Sequence, residues 1–287
     1  MTHQHPFQVE TSDEVYTTHG GVDLLARVHR PVGVVGAPVL VDAHGGAWRH
    51  FDRTVDDHPG RGLAARGITV VAVDFRQAPN HRWPDPVDDL LAALAWVRAE
   101  ADRLGVDPGR MGLMGGSSGG HLAMSAAIAA TRREPLGVRP RVVVALWPVA
   151  DPLARYRYLE SPPDDGPDER LFDPPRLRRA QDQFFGDLDT MHAASVAEQL
   201  RGVAPGTIPP LWLAHPEHDR NITRAMSDQA VDAWRAAGGD ADLVVFTGVG
   251  HSFVNFGGPD ADRCIDQIAT VVERHLRPAT MTTEGRP

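Results

Sequence analysis

The 287-residue sequence is short of several features, and each shortage excludes a class of protein. It has a single cysteine, Cys264, so no disulfide can form within the chain. The local sequence offers this thiol no obvious activating partner, and we expect a small buried or half-buried residue rather than a catalytic one. The sequence also has no block rich in lysine or arginine, and its formal net charge is −9, so nucleic acid is not an expected partner.

Long apolar runs are missing as well. None approaches the roughly 18 residues that a membrane-spanning helix requires. The N-terminal stretch MTHQHPFQVE has neither an apolar core nor a cleavage-like site, so no signal peptide is predicted. We therefore expect a cytoplasmic protein with no membrane partner. Its 42% hydrophobic and 23% charged residues are typical of a globular protein, and its length suits one domain over residues 1–287.

The spacing of apolar residues predicts an α/β fold. Two alternating segments, 9–16 and 24–30, are expected to pair as antiparallel strands. Short apolar runs typical of buried parallel strands then follow, at residues 38–43, 68–74, 110–114, 142–147, 210–214 and 243–247. Helical patterns occupy residues 87–104, 118–130, 224–237 and 260–275. This alternation predicts a mostly parallel central sheet with helices on both faces.

One segment interrupts the alternation. Residues 151–209 contain many prolines, charges and aromatic residues, and they are too numerous for an ordinary connection. We expect an insertion with short helices that covers the strand ends as a helical lid. Residues 278–287 are expected to form a disordered tail.

The strongest chemical signal is the run GGSSGG at residues 115–120, between a predicted strand and a helix of small residues. In a nucleophile elbow, glycines on both sides permit the sharp turn that projects the serine above the sheet. Ser117 is therefore the predicted nucleophile. The G-x-S-x-G pattern alone is weak, but its rivals fit worse. No G-K-[ST] follows, which excludes a P-loop, and a dinucleotide-binding turn would follow the first strand of its unit.

A serine hydroxyl needs a base, and a histidine base needs an orienting carboxylate. His251 lies in GVGHSF just after the last predicted strand and is the predicted base. The preceding strand is followed by HPEHDRNI, in which Asp219 is the predicted acid and Glu217 the alternate. His215, His218 and Asp219 also have an H-x-x-H-D spacing found in metal sites, but no further ligand is evident, and no metal is predicted.

Stabilisation of an oxyanion requires N–H donors placed in advance. Gly45 and Gly46 directly follow a predicted strand, in HGGAW, and together with Ser118 they are the predicted donors. A plain Gly-Gly turn is the alternative. His44 and Trp48 are predicted to line the substrate pocket, although a core position suits Trp48 nearly as well.

With these segments placed, the chain resembles the alpha/beta hydrolase fold-3 family of hormone-sensitive-lipase-like bacterial carboxylesterases. The resemblance runs from about Val34 to His275 and rests on HGGAW, VDFRQAPNHRWPDPVDDLLAALAWV, GLMGGSSGGHLA, HPEHDRNI and GVGHSF, in the family's order. The chain departs from the family pattern at Ala47 in place of a third glycine, at Gly116 before the serine, and at Asn80 in place of a glutamate.

The resemblance implies an α/β-hydrolase fold and a triad of Ser117, Asp219 and His251, with no cofactor. We expect a serine hydrolase that cleaves a small-molecule ester of small or medium acyl chain through an acyl-enzyme. HGG-x-W also resembles arylformamidases, so an arylformamidase or amidase on the same triad is the alternative. A non-catalytic ligand-binding homologue is a third hypothesis, which the presence of all three triad candidates disfavours. The sequence does not decide between a monomer and a homodimer.

Overall fold

A computed structural model describes residues 7–132, 137, 139–163 and 172–277 of the chain. Its strands, in chain order from β1 to β8, are Val9–His19, Val22–Pro31, Ala37–Ala43, Thr69–Val73, Val106–Gly116, Val143–Leu146, Leu211–Pro216 and Ala241–Phe246. They form one sheet in the order β1-β2-β4-β3-β5-β6-β7-β8. Only the β1–β2 and β2–β4 pairs are antiparallel within this sheet, so the predicted mostly parallel architecture is confirmed.

Helices cover both faces of this sheet. Within the described residues they are, from α1 to α10, Asp57–Ala64, Asp85–Ala99, Ala101–Leu104, Ser118–Arg132, Pro152–Tyr158, Pro174–Phe185, Leu188–Ala193, Val196–Gln199, Arg224–Ala236 and Pro259–His275, with a 3-10 helix at Phe253–Phe256. α2, α4 and α9 pack on one face, and α1 and α10 on the other. No helix in the described ranges has the length and apolar character needed to cross a bilayer.

Side chains of the central strands alternate between two apolar clusters. In β3, Val39 and Val41 point to the α2–α4 side, whereas Leu40 points to the α1–α10 side. All three are fully buried, and each such side chain contributes about 1.5–3 kcal/mol relative to an exposed one. Apolar packing therefore stabilises the sheet on both faces. The loops that follow the carboxyl ends of its parallel strands can then hold functional side chains in fixed positions.

The predicted helix over 87–104 is divided in the structure. Glu100 adopts φ −98° and ψ 11°, outside the helical well, and separates α2 from α3. Gly105 then ends α3 at φ +69°, a left-handed conformation that glycine adopts without steric cost. α1 was not predicted, because its segment DHPGRGLA contains a proline and two glycines and lacks a clear apolar period.

The described part of residues 151–209 contains α5, α6, α7 and α8. Each of these short helices begins after a capping side chain that accepts a backbone N–H of the first turn. The caps are Asp151, Asp173, Asp187 and Ser195. Such caps let short helices form where apolar periodicity is weak. Residues 164–171 of this segment and the predicted disordered tail at 278–287 lie outside the described residues.

Candidate active site

Ser117 occupies a sharp turn between β5 and α4. Its φ of +55° is left-handed, a conformation that costs a non-glycine residue about 1–3 kcal/mol. The neighbouring glycines are required by close backbone approach. A Cβ on Gly115 would collide with the backbone of Gly119, and one on Gly119 would overlap the carbonyl oxygen of Ala43. Only glycines let the turn pack against β3. This requirement explains the glycines on both sides of Ser117 in the run GGSSGG.

The structure brings Ser117, His251 and Asp219 together at the carboxyl edge of the sheet. His251 Nε2 lies 3.0 Å from Ser117 Oγ, and His251 Nδ1 lies 2.8 Å from Asp219 Oδ2. The second carboxylate oxygen accepts the N–H groups of Asn221 and Ile222 at 2.8 and 2.9 Å. Because all these bonds hold the carboxylate in place, His251 is kept as the tautomer that carries its proton on Nδ1 and a free lone pair toward Ser117.

The alternate acid takes another partner. Glu217 Oε2 accepts the backbone N–H of Gly248 at 2.8 Å and stabilises the loop before His251. His215 is buried with Nδ1 3.0 Å from Ser227 Oγ. Across the residues that the structure describes, no group of three or more His, Cys, Asp and Glu is arranged to hold a metal, so the metal alternative has no geometric support.

Cys264 lies in α10 and is fully buried, as predicted. Burial raises the pKa of its thiol well above the ordinary range, and no thiolate nucleophile is available there.

The three predicted oxyanion donors belong to two segments near Ser117: Gly45 and Gly46 line the same cavity as the serine, and Ser118 follows it in the chain. The N–H groups of Gly45, Gly46 and Ser118 have no hydrogen-bond acceptor within the described ranges. Gly46 has φ +115°, and a Cβ there would overlap the carbonyl oxygen of His50. A Cβ on Gly45 would lie 3.3 Å from the carbonyl oxygen of Gly116 and 3.6 Å from the Cβ of Ser117. Gly45 therefore lies next to the serine, Gly46 is required by the turn of its own loop, and the positive end of α4 attracts an anion to this place.

A cavity of about 330 Å³ opens onto Ser117 and His251. Its wall is largely apolar and includes Ala47, Phe51, Trp147, Val149, Leu177 and Phe256. The Trp147 ring also packs beside the ring of His251, with centroids 5.9 Å apart. Leu177 and Ala180 come from α6, so the segment 151–209 contributes directly to this cavity.

Comparison with known proteins decides the family. A sequence model described as "alpha/beta hydrolase fold" matches residues 40–255, which is more than half of the chain. The chain belongs to the alpha/beta hydrolase fold-3 family.

The family includes relatives named as ester hydrolases. An ethyl acetate hydrolase of Pseudomonas putida is 29% identical over 281 residues, which cover 92% of this chain and 83% of that protein. The carboxylic ester hydrolase LipN of Mycobacterium tuberculosis is 31% identical over 275 residues, covering 88% and 68%. The esterase LipC of the same organism matches over a shorter stretch, 41% identical over 95 residues, which is 33% of this chain and 24% of that protein.

Solved structures of esterases share the fold. A thermostable carboxylesterase cloned from a metagenomic library superposes with a TM-score of 0.80 at 28% identity, covering 95% of this chain and 91% of that one. A hyperthermophilic esterase of the archaeon Pyrobaculum calidifontis gives a TM-score of 0.78 at 26% identity, covering 94% and 88%. The predicted α/β-hydrolase fold is confirmed.

Within this fold, the prediction that His44 and Trp48 line the pocket is wrong. Neither residue lines the cavity: Trp48 is fully buried, and its ring stacks on Phe184 of α6 at 5.2 Å, as the alternative core position for this residue requires. His44 is buried against Phe75 with ring centroids 4.4 Å apart, and its Nδ1–H donates to the Gly45 carbonyl at 2.6 Å. Burial lowers the pKa of His44, which favours the neutral ring. Both side chains support the glycine loop from inside the core instead of meeting a ligand.

Sequence reasoning missed Arg155, a fully buried residue of α5 that also borders the cavity. Its guanidinium donates to the carbonyl and side-chain oxygens of Asn221 at 3.2 and 3.1 Å and to Gln181 Oε1 at 2.9 Å. Burial lowers its pKa to about 10, while the charge of Asp219 acts in the opposite direction. Arg155 thereby fixes the loop that follows Asp219. An arginine in a seven-residue helix gives no sequence signal for this role.

Proposed function

We propose that this chain is a serine esterase in which Ser117, His251 and Asp219 form the catalytic triad. The observation that carries the proposal is the continuous hydrogen-bonded line from Asp219 through His251 to Ser117, with distances of 2.8 and 3.0 Å, which ends at an open cavity. The names of its relatives support the same activity. The substrate class is a small-molecule carboxylic ester.

Acylation begins when Ser117 Oγ attacks the ester carbonyl carbon while its proton passes to His251 Nε2. Asp219 remains ionised and stabilises the imidazolium that forms. The left-handed φ of Ser117 keeps the hydroxyl clear of the sheet, where a planar ester can approach it.

The tetrahedral oxygen then carries a negative charge. We propose that the N–H groups of Gly45, Gly46 and Ser118 donate to this oxyanion, since they lack other acceptors within the described ranges. Loss of a single donor of this kind typically costs about 2.7–4 kcal/mol of transition-state stabilisation.

The imidazolium of His251 next donates its proton to the leaving alkoxide, and the alcohol departs from an acyl-enzyme on Ser117. Water then loses a proton to His251 and attacks the acyl carbon, and collapse of this second intermediate releases the acid and restores the Ser117 hydroxyl. The cycle consumes one water and needs no cofactor.

The cavity supports a preference for small or medium acyl chains. Its volume of about 330 Å³ is at the lower end of the range of roughly 300–1,000 Å³ for ligand pockets. We propose that residues 151–209 act as a lid, because α6 supplies Leu177 and Ala180 to the cavity wall. A series of p-nitrophenyl esters should show falling kcat/KM once the acyl chain outgrows the cavity.

The decisive test replaces the nucleophile. Ser117→Ala should abolish turnover of p-nitrophenyl acetate while the thermal unfolding transition is retained, because only the hydroxyl is lost. Ser12→Ala, at a surface serine of β1, serves as the matched control and should keep wild-type turnover. Full activity in Ser117→Ala would refute the assignment.

The same triad could cleave a formamide, since the acylation chemistry of an amide is the same. Comparing kcat/KM for N-formylkynurenine and p-nitrophenyl acetate distinguishes the two leaving groups. A large preference for the formamide would replace the ester by an amide as the substrate. Turnover of neither substrate, together with a fluorophosphonate probe that fails to label Ser117, would favour a ligand-binding protein without catalysis.

A further inference from the structure

Two buried carboxyl groups beside the cavity take no part in the proposed reaction. Asp42 lies near the end of β3 and is 2% exposed, and Asp56 directly precedes α1 and is 7% exposed. Asp42 lies on the same face of β3 as Leu40, the face on which α1 packs, so both carboxyl groups are on one side of the sheet, and each affects the pKa of the other. Asp56 borders the cavity, whereas Asp42 is not among the residues that line it. Burying two acids together is costly unless a proton or a cation separates their charges.

The hydrogen bonding of Asp42 indicates where a proton resides. Asp42 Oδ2 is buried and has no N–H or O–H donor within the described ranges, so an ionised Asp42 would leave a charged oxygen buried without a donor. A protonated Asp42 would instead donate a hydrogen bond to Asp56.

The electrostatic environment agrees with that geometry. Burial and the charge of Asp56 raise the pKa of Asp42 well above its usual range. Burial raises the pKa of Asp56 to about 6, while hydrogen bonds from Asn255 and Asp42 limit the increase. Asp57 is the other charged group that influences Asp56, and it raises the pKa further.

Asn255 connects this pair to the segment that follows His251. Its Nδ2 donates to Asp56 Oδ1 and to the carbonyl oxygen of Val55, the latter at 3.2 Å. Asn255 lies in the 3-10 helix that directly follows the loop of His251. At the other end of the network, Asp42 belongs to the strand that leads into the loop of Gly45.

We propose that Asp42 and Asp56 share one proton and, through Asn255, form a positioning network that holds the His251 loop in register with the oxyanion loop. The inference rests on the proposed esterase function. Neither acid touches the reacting atoms, so their contribution is to geometry. A misplacement of about 1 Å at a reacting centre can cost about 100-fold in rate, and the network spans the two loops whose relative position matters.

The test centres on Asp42, because a substrate in the cavity does not reach it. Asp42→Ala removes the donor to Asp56 and should lower kcat for p-nitrophenyl acetate by about tenfold or more while KM stays within about threefold. Asp42→Asn keeps a donor in the same place and should restore kcat to within about threefold of wild type. Asn255→Ala should reproduce the loss of kcat and carries the test if Asp42→Ala does not fold.

Asp89→Asn is the matched control. Asp89 is a fully buried aspartate of α2 that forms an ion pair with Arg76, and it does not line the cavity. It should lower the thermal unfolding temperature and leave kcat unchanged at a temperature where the protein is folded. A fall in kcat equal to that of Asp42→Ala would show that general destabilisation explains both variants, and would overturn the proposal.

The shared proton can also be detected by infrared spectroscopy, which does not depend on ester hydrolysis. At about pH 8, where an ordinary aspartic acid with a pKa of about 3.9 is ionised, the infrared spectrum of the wild type should contain a protonated carboxyl band that Asp42→Asn lacks. Absence of that band, or unchanged kcat in Asp42→Ala and Asn255→Ala, would overturn the proposal. A wild type that hydrolyses no ester would instead overturn the esterase assignment. The infrared result would still show whether Asp42 and Asp56 share a proton.

Discussion

Replacement of Asp219 by asparagine would separate the chemical role of its charge from its structural role. The asparagine carbonyl oxygen can still accept the N–H groups of Asn221 and Ile222, which now bond Oδ1 at 2.8 and 2.9 Å. The loop should therefore keep its conformation. The side-chain amide, however, would place an N–H donor 2.8 Å from His251 Nδ1, which is itself a donor in the wild type.

The conflict is relieved if His251 shifts its proton to Nε2. That nitrogen lies 3.0 Å from Ser117 Oγ and could then no longer accept the serine proton. Loss of the productive tautomer in a comparable triad lowers kcat by about 10⁴-fold, which corresponds to about 5 kcal/mol of activation free energy. We expect a loss of that order for Asp219→Asn, with the free energy of unfolding changed by less than about 1 kcal/mol.

The assay is steady-state hydrolysis of p-nitrophenyl acetate together with urea unfolding. Glu217→Gln is the matched control, because its side-chain oxygen can still accept the N–H of Gly248. It should retain kcat within about threefold. If Asp219→Asn kept more than about a tenth of wild-type kcat, or if Glu217→Gln lost as much, the assignment of the orienting acid would be refuted.

Other variants test separate parts of the site. Gly46→Ala should lower kcat for p-nitrophenyl acetate by about 100-fold, because its Cβ overlaps the His50 carbonyl and its φ of +115° disfavours alanine; wild-type kcat would contradict this. Burial raises the pKa of Asp56 to about 6, so the folded state binds a proton on the Asp56 carboxylate more tightly than the unfolded state does. Its stabilising contribution is present below about pH 4 and is lost as pH rises through about 6, so Asp56→Asn should gain up to about 3 kcal/mol over wild type between about pH 4 and 8 in urea unfolding. A pH-independent difference would contradict that reasoning. Arg155→Met should lower the free energy of unfolding by about 1–3 kcal/mol and reduce kcat, since buried oxygens lose their donor; unchanged unfolding and kcat would argue against its role.

The elements that sequence predicted well are those whose cause is local. The turn at Ser117 requires glycines because the backbone of β3 passes so close to it, and these glycines are near neighbours in the sequence. The positions of the strands along the chain likewise follow from short apolar runs. The proximity of His251 and Asp219 was predictable because loops after parallel strands meet at one edge of the sheet.

The features that sequence did not predict depend on distant packing. From sequence alone, the ring of Trp48 could face either the cavity or the core. It packs in the core against Phe184, which lies more than a hundred residues along the chain. Arg155 and Asn255 have roles only because separate loops bring hydrogen-bond partners to them. The proton between Asp42 and Asp56 has no counterpart in any sequence pattern.

Intact-mass spectrometry after reaction with a fluorophosphonate, which phosphonylates an activated serine, shows directly whether Ser117 is the nucleophile. We expect one adduct per chain, located by peptide mapping to Ser117, with loss of p-nitrophenyl acetate turnover in proportion to labelling. An adduct on a different residue, or full turnover in a completely labelled protein, would contradict it.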